Sequence, residues 1–283
     1  MSRFWSYWSL AVHGLDRGTE MVRWYDYWLK DINNGIMDEP PIYYCVLDAH
    51  QNTRWRWTRR WPISEADPVR YHFHAGPSGS IESVNDGVLV TAPPEGGFDA
   101  YVVDYTTTTG PATRCTGSTA PAYPDMAADD QKGLTYTTAP LAAALDLIGH
   151  PILHVWIQSS ADDVDLFAYL EDVDPQGRST YVTEGCLRAS HRTLSEAPYE
   201  ALGLPYRPSG EGDIATLNGE PVEMVFDLLP TAKHFAAGHR IRITLACADR
   251  DNYRHLTHDP APTIKIFHDA QHRSHVILPL VGR

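Results

Sequence analysis

The sequence contains few cysteines, and their spacing shows no disulfide framework. The four thiols, Cys45, Cys115, Cys186 and Cys247, lie far apart in a chain of 283 residues and form no C-x-x-C pair. Such isolated cysteines in a chain of this length are typical of reduced, buried small side chains. We therefore predict no disulfide and a cytoplasmic location.

Long apolar runs and clustered positive charge are also missing. No stretch approaches the roughly 18 apolar residues that a membrane-spanning helix needs, and the first residues lack the cleavage site of a signal peptide. The formal net charge is −13, without a basic stripe, which argues against nucleic acid or an anionic membrane surface as a partner. We predict neither partner.

The sequence motifs of common catalysts are absent as well. There is no G-x-S-x-G nucleophile elbow, no P-loop and no G-x-G-x-x-G turn. The one similar stretch, Gly76-Pro77-Ser78-Gly79, has the wrong spacing for an elbow. We therefore predict no catalytic nucleophile within this chain, and no cofactor.

What the chain does contain favours β-structure. It has 21 Pro, 20 Gly, 8 Trp and 15 Tyr, a mixture typical of short strands joined by turns. We predict strands at 69–74, 88–91, 100–105, 135–138, 144–148, 152–158, 222–228, 240–246 and 276–280. Stretches 107–133 and 197–219 lack periodicity and are predicted to be surface loops. The fold class predicted is mainly β, a jelly-roll β-sandwich.

A β-hairpin is predicted at 162–192, the most regular part of the chain. Residues 165–171 alternate, with Leu166 and Leu170 opposite Phe167 and Tyr169, and a Pro-Gly turn follows at 174–177. Its acidic residues could suggest an ion site, but they lack the Gly and closing Glu of a calcium loop. We expect Asp163 and Asp165 to bind backbone amides or Arg188 instead.

One amphipathic helix is predicted before the strands. Met21, Trp24, Tyr25, Trp28 and Leu29 follow helical spacing and form one apolar stripe. Asp16 or Thr19 can cap its start, and the Asn-Asn-Gly sequence at 33–35 can end it. The stripe is too rich in aromatic residues for a lone surface helix, so we expect it to pack on a partner outside this chain.

Two groups of residues are candidates for binding. Trp55, Trp57 and Trp61 alternate with arginines and could form a platform for a ring, or a structural aromatic–arginine contact between packed elements. Histidine recurs at 255, 258, 268, 272 and 275 and could bind a metal ion. The sequence fixes no complete ligand set, so we predict no metal.

Five motifs occur in the order of a known family. They are R-W-Y-D-Y-W-L-K at 23–30, N-G-I-M-D-E-P-P at 34–41, D-V-D-L-F-A-Y-L-E-D-V-D-P-Q-G at 163–177, E-G-C-L-R-A-S-H-R at 184–192 and G-H-R-I-R at 238–242. Together they resemble the C-terminal part of the X-Pro dipeptidyl-peptidase and cocaine-esterase-like (CocE/NonD) serine hydrolases. The resemblance extends from about Gly14 to Pro279.

The resemblance implies an α/β-hydrolase domain with a Ser-His-Asp triad, followed by a galactose-binding-like jelly roll. Residues 1–62 would be the end of the hydrolase domain with a linker, and residues 63–283 the β-sandwich. The partner would be the catalytic domain, missing here or on a separate chain, and a homo-oligomer is a further expectation. The chain departs from the family at Asp31, where Gly usually follows the lysine.

The resemblance also makes His13 the candidate for the triad histidine. However, His13 lies closer to the helix than in the family and lacks the usual Gly-Pro-Trp before it. We therefore expect a chain that is inactive alone, a non-catalytic domain that shapes a dipeptidyl-peptidase or esterase. The alternative is a free-standing jelly-roll module that binds carbohydrate or another ligand.

Overall fold

The protein is mainly β, with one long helix near its N-terminus. A computed structural model describes residues 16–50, 52–110, 123–208 and 210–282. The helices are α1 (Arg17–Lys30) and the single-turn α2 (Ala127–Asp130). The strands are β1 (Ile42–Leu47), β2 (Thr53–Thr58), β3 (Asp67–His74), β4 (Asn85–Val90), β5 (Phe98–Val102), β6 (Leu134–Thr137), β7 (Leu145–Gly149), β8 (Ile152–Ser159), β9 (Asp165–Val173), β10 (Ser179–Arg188), β11 (Val222–Asp227), β12 (Thr231–Phe235), β13 (Arg240–Ala246), β14 (Thr263–Phe267) and β15 (His275–Val281).

These strands form one large mixed sheet. Its main path runs β10-β9-β13-β6-β4-β3-β15-β7-β12-β1-β2, while β11, β14 and β5 join through β8. The pairs β1–β12 and β4–β6 are parallel, and the other pairs are antiparallel. Strand β15 pairs with three neighbours, β3, β8 and β7, so the C-terminal strand connects the main path to the β8 branch.

The core lies between two layers of this curved sheet. One hydrophobic cluster contains inner side chains of β3, β4, β6, β9 and β13 together with those of β5, β8, β11 and β14. The sequence of β8 explains why one of its faces joins this core. Leu153, Val155 and Ile157 are buried and alternate with half-buried residues. The prediction of a mainly β fold preceded by one amphipathic helix is confirmed.

Helix α1 begins where the sequence predicts but ends earlier. Asp16 caps the first turn, since its Oδ1 accepts from the backbone N–H groups of Gly18 and Thr19 at 3.0 and 3.2 Å. The last helical residue is Lys30, and Asp31 takes a left-handed conformation at φ 55°. The family's usual glycine at this position has a physical reason, because glycine adopts positive φ without steric cost.

The predicted hairpin at 162–192 is β9 followed by β10, and its acidic residues have structural partners. Arg188 donates from Nε and a terminal nitrogen to the two oxygens of Asp165 at 2.8 and 3.1 Å. Asp163 Oδ1 accepts from the backbone N–H of Ser190 at 2.8 Å. Gly185 passes so close to β11 that a Cβ would lie 2.6 Å from the Asp227 carbonyl oxygen. The expectation that Asp163, Asp165 and Arg188 fix strands is confirmed.

Several strands were missing from the sequence-based assignment. Strands β2, β12 and β14 were not predicted as strands, although their residues pair in regular register. Part of the predicted loop 107–133 is ordered, because α2 lies within it. Residues 111–122 of that loop lie outside the described residues.

A fully buried ion cluster lies beneath the hairpin. Arg242, completely inaccessible to solvent, donates to Asp130 at 2.6 Å and lies 4.0 Å from Glu171. Burial raises the pKa of the Glu171 carboxyl well above its usual range, and the neighbouring Asp130 raises this pKa further. Because Arg242 contacts Asp130 more closely, we assign the negative charge to Asp130 and the proton to Glu171.

This proton makes stability depend on pH in a defined direction. A carboxyl whose pKa is higher in the folded state contributes stability below its unfolded pKa, and that contribution is lost as pH rises. We expect Glu171→Gln to raise the free energy of unfolding at pH 8 by about 1–3 kcal/mol, because the amide stays neutral. Urea unfolding at pH 5 and pH 8 measures this, and the variant should show the smaller difference between the two.

The matched variant is Asp130→Asn in the same cluster. It leaves the buried Arg242 without its close carboxylate and should cost about 3 kcal/mol. A Glu171→Gln protein that loses as much stability as Asp130→Asn would contradict the assigned charges.

Candidate functional site

A row of exposed apolar side chains lies on one side of α1. Trp24, Trp28 and Leu29 are 48%, 53% and 74% exposed, and the two indoles lie 5.7 Å apart between ring centroids. We call this surface the α1 apolar face; it consists of Met21, Val22, Trp24, Tyr25, Trp28 and Leu29. The apolar stripe predicted from helical spacing is confirmed.

Beyond the caps at its two ends, the contacts of α1 with other described residues that involve hydrogen bonds or ion pairs are made by Arg23, on its polar side. Arg23 forms ion pairs with Glu20 at 2.9 Å and with Glu39, and its carbonyl accepts from the side-chain amide of Asn34 at 2.7 Å. These contacts fix α1 against the segment that leads to β1. They leave the α1 apolar face uncovered by the described part of the chain.

The candidate tryptophans lie on the β1–β2 hairpin and beyond it, and they do not form one group. Trp55 and Trp57 alternate on β2, and both pack near Tyr43, at 6.3 and 6.0 Å between ring centroids. Trp61 instead contacts Tyr44 at 6.1 Å and packs in a small buried cluster. The structure therefore brings Trp55 and Trp57 together and separates Trp61 from them.

The arginines of β2 have a carboxylate partner that the sequence analysis missed. Arg54 and Arg56 lie 3.3 and 3.1 Å from the two oxygens of Asp146 on β7, and His234 lies 2.7 Å from the same carboxylate. These residues are separated by about 90 positions or more along the chain. No local spacing signals such a contact, which depends on the order of strands in the sheet.

An open cavity lies at the edge strand β2. Its volume is about 400 Å³, within the range of small-molecule sites. The cavity is lined by Tyr44, Trp55, Arg56, Trp57, Ile63, Glu65 and Val281. The ring-binding role of Trp55, Trp57 and Trp61 stays a prediction, and this cavity is where the first two would act.

The C-terminal histidines do not converge on a metal. His255 stacks on Tyr105, His258 lies 2.9 Å from the Asp163 carbonyl, His268 pairs with Asp99 and His272 with Asp269. Among the described residues, no three His, Cys, Asp or Glu side chains are grouped so as to hold a metal ion. His275 belongs to a different group, a stack of three imidazoles.

Two further predictions concern the triad histidine and membrane-spanning helices. His13, the candidate triad histidine, lies outside the described residues. Within the ranges that the structure describes, no helix is long and apolar enough to cross a membrane.

Comparison with known proteins identifies the family. The profile of the X-Pro dipeptidyl-peptidase C-terminal non-catalytic domain matches residues 34–277. This chain belongs to that family. The match covers both the β1–β2 hairpin and the β9–β10 hairpin, and it confirms the resemblance carried by the sequence motifs.

Relatives of known sequence are much longer than this chain. A Mycobacterium bovis protein, provisionally named a serine esterase, is 38% identical in an alignment 281 positions long that covers 96% of this chain and 42% of that protein. The cocaine esterase of a Rhodococcus species is 24% identical, over 96% of this chain and 47% of its own length. The chain thus spans less than half the length of these curated relatives.

Solved structures show the same fold. A CocE/NonD family hydrolase of Staphylococcus aureus superposes with a TM-score of 0.70 and 18% identity, over 97% of this chain and 46% of that one. An α-amino acid ester hydrolase matches with a TM-score of 0.64 and 18% identity, over 92% of this chain and 44% of that one. At this identity the likeness concerns the fold.

Single tryptophan replacements should differ in their cost to unfolding free energy, depending on whether the ring is packed or exposed. Trp61→Ala removes a packed ring from the cluster of Val46, Ile63 and Ile148 and should cost about 2 kcal/mol of unfolding free energy. Trp57→Ala removes a ring that is 61% exposed and should cost less than about 1 kcal/mol. Urea unfolding of both variants tests this, and equal losses would contradict the separation.

Proposed function

We propose that this chain is the non-catalytic C-terminal part of a CocE/NonD-type serine hydrolase and docks on an α/β-hydrolase domain through the α1 apolar face. The observation that carries the proposal is the uncovered row of large apolar side chains on α1. Ester or X-Pro peptide hydrolysis would belong to the partner domain. The sandwich would pack on that domain and shape the entrance for substrate.

The physical argument is the cost of leaving this face in water. Each large apolar side chain that becomes buried contributes about 1.5–3 kcal/mol, and contiguous patches of this kind mark interaction sites. The curated relatives are named as esterases and extend well beyond the matched region. Their additional length supports a hydrolase domain as the occupant of the α1 apolar face.

The finer predictions from the sequence remain parts of this proposal. They are the galactose-binding-like jelly-roll topology, a boundary between residues 62 and 63, a homo-oligomer and a cytoplasmic location. The two parallel strand pairs, β1–β12 and β4–β6, are departures from the simple antiparallel pattern of a jelly roll.

The chain alone should show no hydrolase activity. Purified protein should not turn over p-nitrophenyl esters or X-Pro p-nitroanilides, and a fluorophosphonate probe should not label it, because the triad serine would lie in the partner. Turnover that a serine reagent abolishes would contradict the non-catalytic assignment.

Docking can be tested with the catalytic portion of the Mycobacterium bovis relative, expressed without its own C-terminal region. We expect the chain to co-elute with it in size-exclusion chromatography, and Trp28→Glu to weaken binding at least about tenfold by placing a charge in an apolar contact. Tyr199→Glu is the matched control, since Tyr199 is also exposed but lies outside α1. Equal binding of Trp28→Glu and wild type would reject the α1 apolar face as the docking surface.

A ligand-binding module is the second candidate function. It rests on the cavity of about 400 Å³ at β2 and on Trp57, which is 61% exposed beside Tyr43 at 52%. Such a module should bind glycans on an array, and Trp57→Ala should lose this binding while Trp24→Ala on α1 keeps it. An array without signal would exclude carbohydrate as the ligand class.

A further inference from the structure

Three histidines from three neighbouring strands lie side by side, with His154 stacked on His275 and His72 tilted at 49° to His275, and we call this group the histidine stack. His275 on β15 pairs directly with His72 on β3 and with His154 on β8. Its ring centroid lies 4.4 Å from that of His154, at an interplanar angle of 9°, and 5.4 Å from that of His72. The three imidazoles therefore lie in a row across β3, β15 and β8.

The hydrogen-bond positions of His275 and His72 suit neutral rings. His275 Nδ1 donates to the backbone carbonyl of Arg273 at 2.7 Å, and His154 Nδ1 lies 3.1 Å from the Glu223 carboxylate. His275 Nε2 and His72 Nδ1 are buried and have no hydrogen-bond partner among the described residues. An unprotonated ring nitrogen tolerates such a position far better than a charged N–H, which would lose its hydration without compensation.

The positive groups around His72 and His275 oppose protonation of these two rings. Arg70 and His74 face the stack from β3, Arg273 from the segment before β15, and Glu223 from β11 is the carboxylate that contacts it, at His154. Burial, acting with the charges of His154, Arg70 and His72 and against the opposing hydrogen bond to Arg273, lowers the pKa of His275 to about 4. Burial and Arg70 likewise lower the pKa of His72.

The stack lies where the C-terminal strand joins three other strands. His275 is the first residue of β15, and β15 is the strand that joins β3, β8 and β7. Two cations 4–5 Å apart at this junction repel each other strongly because little water separates them. The repulsion acts on the strand contacts themselves.

We propose that the His72–His275–His154 stack is a proton-operated latch, which holds the C-terminal strand β15 between β3 and β8 while His72 and His275 are neutral and releases β15 on acidification. The sign follows from linkage. A histidine with a lowered pKa in the folded state contributes stability above pH 6.5, and this contribution is lost as pH falls toward 4. This loss is opposite in sign to that of the Glu171 carboxyl, which favours the folded state at low pH.

Hydrogen exchange of the backbone amides tests the latch on the full chain. Between pH 7.0 and pH 4.5, after correction for intrinsic exchange rates, we expect β15 amides to lose protection by at least about tenfold. The amides of β9 and β10 should change much less. In His275→Phe, which keeps a stacking ring but cannot be protonated, the loss in β15 should fall below about threefold.

Two more variants keep the test decisive. His154→Gln removes one ring at a half-buried position and should reduce the acid-induced loss even if His275→Phe does not fold. His50→Gln alters an exposed histidine before β2 and should behave as wild type. Unchanged β15 protection at pH 4.5, or an equal loss in wild type and both stack variants, would overturn the proposal.

Discussion

The structure depends on the burial of strand β9 on both faces. All nine of its residues are buried, with Leu166, Ala168 and Leu170 in the main core and Phe167 and Tyr169 in a second cluster on the other side. A strand buried in this way leaves no solvent-facing side on which a charge can stay hydrated. Yet β9 carries three carboxylates.

Each carboxylate of β9 is stabilised by a different interaction. Asp165 binds the fork of Arg188, Glu171 holds a proton beside Asp130 and Arg242, and Asp172 lies between Lys233 at 3.1 Å and His239 at 2.7 Å. The partners come from β10, β12, β13 and the approach to β13, so the charges of one strand determine which strands lie around it. The D-V-D-L-F-A-Y-L-E-D-V motif is therefore a set of structural constraints, and its lack of catalytic chemistry follows from that role.

How far the sequence predicts this structure depends on whether a feature is local. The strands with strong alternation, such as β8 and β13, and the helix capped by Asp16 follow from their own residues. Strand β2 was not predicted, although T-R-W-R-W-T alternates polar and aromatic residues, because this stretch was interpreted as an aromatic–arginine contact; its arginines are satisfied by Asp146 on a distant strand. The histidine stack was also not predicted, since only the pairing of β15 with both β3 and β8 makes neighbours of residues 72, 154 and 275.

The same reasoning explains why the sequence identified a partner but not a site. The periodicity of α1 is local and shows that one face is apolar, whereas the proposed partner surface leaves no signal in the residues of this chain. The β1–β2 hairpin next to α1 is attached to the sandwich through Leu47 pairing with Lys233 and through Val46 packing on Ile148. Helix α1 is joined to this hairpin by residues 31–41, and beyond its caps it forms a hydrogen bond with Asn34 and an ion pair with Glu39 in that segment.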